Sequence, residues 1–94
     1  MTVIEIALAE VRQVARALAS LPNARGTADD LARVLGWTRD RVSRRLRGGS
    51  LPRGRPCPQL FARVPGSRDF VHRALAVWGL TSAGEELATR EDGA

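Results

Sequence analysis

The stretch from Thr27 to Arg47, TADDLARVLGWTRDRVSRRLR, constrains the fold more than any other part of the chain. Thr27 is placed to N-cap a helix, and Asp29 and Asp30 then fall in its first turn, where negative charge suits the helix dipole. Leu31, Val34 and Leu35 recur at helical spacing and predict one apolar face. Gly36 follows at once, where a helix end favours a left-handed residue. Thr38 is set to cap a second helix, with Asp40 in its first turn. Val42 and Leu46 lie one turn apart and are expected to point at the first helix. Arg39, Ser43, Arg44 and Arg47 make up the other face. The spacing therefore predicts a helix, a tight turn and a second helix with a basic outer side.

The charge pattern singles out the same region. Ninety-four residues bound a single small domain spanning 1–94. The net charge is +5, and all fifteen basic residues are arginine. Guanidinium groups make forked contacts with phosphates and guanine edges that lysine cannot copy. From Met1 to Thr38 the charges cancel, whereas from Arg39 to Arg73 ten arginines face only Asp40 and Asp69, a net of +8. From Ala74 onward Arg90 opposes four acids, a net of −3. A basic block on the second helix and the residues after it is the footprint expected of a phosphate-binding surface. The alternative is a solvated basic face with no partner.

These residues resemble the helix-turn-helix of DNA-binding regulators. Ala32 matches the small residue where the two helices cross, and Gly36 the turn glycine. Trp37 matches the apolar residue after it, and Val42 the buried residue of the recognition helix. Val42-Ser43-Arg44 is similar to many bacterial and phage recognition helices. The resemblance implies that the helix from Thr38 to Arg47 enters the major groove. Arg39, Ser43, Arg44 and Arg47 would then face base edges or flanking phosphates, with Arg44 the first candidate for a guanine. Thr38, with the helix N-terminus, would hold a phosphate.

The rest of the chain is read around this motif. Residues 2–21 predict a helix opened by a capping box of Thr2 and Glu5 and ended by Pro22 and Asn23. Ile4, Leu8, Val11, Ala15 and Leu18 form one apolar stripe, and Val3, Ala7, Val14, Ala17 and Leu21 a second beside it. Two readings of this wide arc stand: central packing within the domain, or a homodimer through helix 2–21. Residues 48–59 are a Gly/Pro-rich loop carrying Arg53 and Arg55, placed to track the backbone or enter a minor groove, or else a plain connector. Residues 60–64 and 71–80 predict two antiparallel strands about the Pro65-Gly66-Ser67 turn. Leu60, Ala62 and Val64 face one side, Phe61 and Arg63 the other. This hairpin, 60–80, is a wing bearing Arg63, Arg68 and Arg73 for phosphate contacts. A competing helix over Phe70 to Trp78 fits the same apolar spacing, and periodicity alone does not decide. Thr81 caps a last helix, 81–90. Leu80-Thr81, Ala83-Gly84 and Leu87 resemble the segment after the wing in MarR-like winged regulators. In winged relatives residues near Arg25 to Thr27 also pair briefly with the wing, and nothing in these residues decides that.

The expected fold is therefore mainly α with a small β-hairpin wing, a winged helix-turn-helix. No catalytic constellation is expected: His72 and Cys57 are single, and no cluster has metal-ligand spacing. No cofactor, metal or membrane span is expected, nor a secretory signal, so the location expected is cytoplasmic. The function expected is sequence-specific binding of double-stranded DNA by a small transcriptional regulator. The runner-up is a winged-helix protein-interaction module.

Overall fold

Helix α1 (Val3–Ser20) is the element the others pack on. The computed structural model of the protein describes residues 3–47, 59–64 and 76–89. Val11, Val14, Ala15, Ala17 and Leu18, drawn from both apolar stripes, are all buried. Helices α2 (Ala28–Leu35), α3 (Arg39–Arg47) and α4 (Ser82–Thr89) lie against α1, as does strand β3 (Trp78–Leu80). A helix with that many neighbours needs a wide apolar arc, and from Leu8 to Leu18 the apolar residues are buried or half-buried. Thr2 lies outside the described residues, so the expected capping box does too.

Pro22 to Ala24 form a short 3-10 turn after α1, with Asn23 and Ala24 at positive φ of 59° and 53°. The chain then enters β1 (Arg25–Gly26), which pairs with β3, the brief pairing that the residues alone left open. The sheet is antiparallel, in the order β1-β3-β2, with β2 at Phe61–Arg63. Gly79 at its centre faces Arg25 on one side and Ala62 on the other. The Val64 N–H donates to the Val77 carbonyl at 2.8 Å and extends the hairpin by one bond. The helix considered for 70–78 fails at its C-terminal end, because 76–77 are not helical and Trp78 is in a strand. Residues 70–75 lie outside the described residues. The strands are shorter than the expected 60–64 and 71–80 where they are described.

The first expected strand begins one residue late, at Phe61. Leu60 and Phe61 are consecutive yet both buried. Leu60 precedes the strand, and its carbonyl accepts the Thr81 N–H at 3.1 Å, so it belongs to the docking of α4 rather than to the pleat. Thr81 caps α4 as expected, accepting the Gly84 N–H at 3.2 Å while its own hydroxyl donates to the Gln59 carbonyl. Arg16 Nε donates to the Ala88 carbonyl at 3.4 Å and ties α1 to the last turn of α4. Arg90, the expected last residue of that helix, is outside the described residues.

The result is a mainly helical domain with a small three-stranded antiparallel sheet. Phe61, Leu18, Leu31, Val14 and Val42 fill the centre of its core. Among the described residues, no helix is long and apolar enough to cross a membrane.

Candidate nucleic-acid interface

The pair α2–α3 is shaped by three local devices. Thr27 and Asp30 make a capping box: Thr27 Oγ1 accepts the Asp30 N–H at 3.2 Å, and Asp30 Oδ2 accepts the Thr27 N–H at 3.0 Å. Gly36 ends α2 in the left-handed region at φ 71°, and the Trp37 N–H reaches back to the Ala32 carbonyl at 3.0 Å, closing the end in the Schellman manner. Thr38 Oγ1 accepts the Arg41 N–H at 3.3 Å and caps α3. Val42 and Leu46 then point inward and are buried, as their spacing requires. Val34 does not join buried Leu31 and half-buried Leu35 on the inner side of α2: it is 54 % exposed.

Ion pairs hold α3 from both flanks. On one flank Arg39 grips Asp29 of α2 through two hydrogen bonds, Nε to Oδ1 at 2.7 Å and Nη2 to Oδ2 at 3.1 Å. On the other, Glu10 of α1 accepts from Arg41 Nη2 at 2.8 Å and from Arg45 Nε at 2.7 Å. The Glu10 side chain is only 13 % exposed. Its hydrogen bonds from Arg41 and Arg45 hold its carboxyl below the ordinary value of 4.5. The Arg41 guanidinium also lies 3.9 Å over the Trp37 ring, a cation–π contact across the turn. Three of the five arginines of α3 are thus engaged in fixing the helix to its neighbours.

Arg44 and Arg47 remain. Both are exposed and make no ion pair with another described residue. Helical spacing puts Asp40 and Arg44 on the side opposite Val42 and Leu46, while Arg39, Ser43 and Arg47 run down the flank. The expected basic face is therefore split: Arg39 is tied to Asp29, Ser43 is half-buried, and Arg44 faces solvent. Ser43 and Arg47 line a cleft of about 220 Å³ with Arg63 and Trp78 of the β2–β3 hairpin. Arg63 is half-buried there, and Thr38 is exposed at the head of α3. Arg53, Arg55, Arg68 and Arg73 lie outside the described residues. A second hollow, of about 290 Å³ against the sheet, brings Arg25 and Glu85 together and so has no single sign of charge.

Neither the Glu10 clamp nor the Asp29–Arg39 pair is legible in the sequence. Their partners are 31, 35 and 10 residues apart, so neither follows from helical spacing alone. Among the described residues, no group of three or more His, Cys, Asp or Glu could hold a metal. No protein-family model, curated protein or solved structure matches the chain.

Proposed function

We propose that the protein is a small winged helix-turn-helix regulator of transcription that binds double-stranded DNA in a sequence-specific manner, with α3 in the major groove. The observation that carries this reading is the state of α3. One side is buried and both flanks are bolted down by ion pairs, while Arg44 and Arg47 stay exposed and unneutralised by described residues. Fixed helices with exposed guanidiniums suit base readout, which needs a rigid platform and forked donors. In this reading β2–β3 is the wing, and the cleft between it and α3 takes sugar–phosphate backbone. Thr38 and the amides of the α3 N-terminus hold a phosphate. Arg53, Arg55, Arg63, Arg68 and Arg73 add phosphate contacts. The protein needs no cofactor, carries out no catalysis and works in the cytoplasm. A homodimer would form through helix 2–21.

The second reading, a protein-interaction module, is favoured by the exposed Val34 on α2. A partner helix could cover it without any need for the basic block.

Fluorescence anisotropy of a labelled random-sequence duplex across a salt series separates the two. Affinity is expected to fall steeply with salt. Replacing Arg44 and Arg47 together by Ala is expected to weaken binding and flatten the slope of log affinity against log salt by about 2. Absence of binding even at low salt would sink the DNA reading and turn attention to partners of Val34.

A further inference from the structure

Asp40 sits on the strip of α3 that the DNA reading turns toward the groove. It is exposed, lies in the first turn one helical turn before Arg44, and makes no hydrogen bond or ion pair with another described residue. Its counterparts on α2 are all engaged: Asp30 closes the capping box and Asp29 holds Arg39. A carboxylate suits the helix N-terminus, but on this face it also repels every phosphate that approaches. An acid on a polyanion-binding surface weakens binding to all sequences unless one of them satisfies it.

We propose that Asp40 is a specificity-determining residue, its carboxylate accepting a hydrogen bond from the N4 amine of a cytosine beside the guanine read by Arg44. This rests on the DNA-binding reading and adds the identity of a base to it. An ionised carboxylate only accepts hydrogen bonds. In the major groove cytosine offers an amine donor, guanine and thymine offer acceptors, and adenine sets a donor beside an acceptor. The order of preference at this position is therefore cytosine, then adenine, with guanine and thymine rejected. Residues four apart on a helix are separated by about 6 Å, and base pairs by about 3.4 Å. The cytosine thus lies one or two steps from the guanine.

The test is selection of the full chain against a randomised duplex library, followed by anisotropy on the selected site with each base at the indicated position. Wild type is expected to prefer cytosine over thymine or guanine there by about tenfold or more. Asp40→Asn is expected to move the preference to adenine, whose N6 and N7 match an amide. Asp40→Ala is expected to lose the preference and bind random duplex several-fold more tightly. Circular dichroism checks that both variants keep the helical content of wild type. If wild type selects a site and both variants select the same bases at every position, the Asp40 inference is overturned while DNA binding stands. If wild type binds duplex but shows no cytosine preference at any position, the inference fails in the same way. If wild type binds no duplex at all, both readings fall.

Discussion

Glu10 is a single residue joined to two others on a different helix, and its charge state matters for stability. Its carboxylate accepts from Arg41 and Arg45, which are 43 % and 33 % exposed, so solvent screens part of the attraction. Glu10→Gln keeps the shape but loses the charge and leaves only one acceptor oxygen. At neutral pH this is expected to cost about 1–2 kcal/mol. The pH dependence follows from the direction of the shift. The folded pKa lies below the ordinary 4.5, so the extra stability is fully present above the unfolded value and disappears as the pH falls through the folded one. Urea unfolding of both proteins should show a gap at neutral pH that closes in strong acid. A gap that persists in acid would mean the carboxylate's charge is not what holds Arg41 and Arg45.

At the scale of elements, the joint between α4 and the residues before β2 depends on the absence of a side chain. A Cβ at Gly84 would collide with the Leu60 carbonyl oxygen and come within 2.9 Å of Leu80 Cδ2. The Leu60 carbonyl cannot simply move aside, because it accepts the Thr81 N–H. Gly84→Ala would raise helix propensity by about 1 kcal/mol on an isolated helix. Here it is expected to destabilise the protein by about 1–3 kcal/mol, read as a lowered urea midpoint. A variant more stable than wild type would mean that α4 does not dock on Leu60. This joint also marks what the sequence could tell. Caps were legible because Thr27, Thr38 and Thr81 act on amides three residues away. The seam of Val42 and Leu46 was legible because helical spacing is local. The α4–Leu60 contact and the clamp on Glu10 join distant segments, and no periodicity encodes them. The Ser43 and Arg47 cleft was half legible: both residues were expected at the interface, but Trp78 in its lining was not.

For the whole molecule, net charge and usable charge differ. The region from Arg39 to Arg73 carries +8, yet Arg39, Arg41 and Arg45 are already paired with Asp29 and Glu10. Each phosphate neutralised contributes about −0.9 to the slope of log affinity against log salt. On random-sequence duplex, where Arg44 has no guanine in register, a grip by Arg44 and Arg47 alone gives an expected slope near −2; if Arg53, Arg55, Arg63, Arg68 and Arg73 add phosphate contacts, it approaches about −6. The proposed function predicts the steeper value. Arg53→Ala with Arg55→Ala should then flatten it by about 2 units. Arg39→Ala should change it by well under one unit, since a phosphate contact there would first have to break the two hydrogen bonds to Asp29. A slope near −2 that ignores the loop substitutions would restrict the interface to α3. The arginines after α3 would then be a solvated charge rather than part of the grip, and the Arg44 and Arg47 pair would carry nearly all the affinity for duplex.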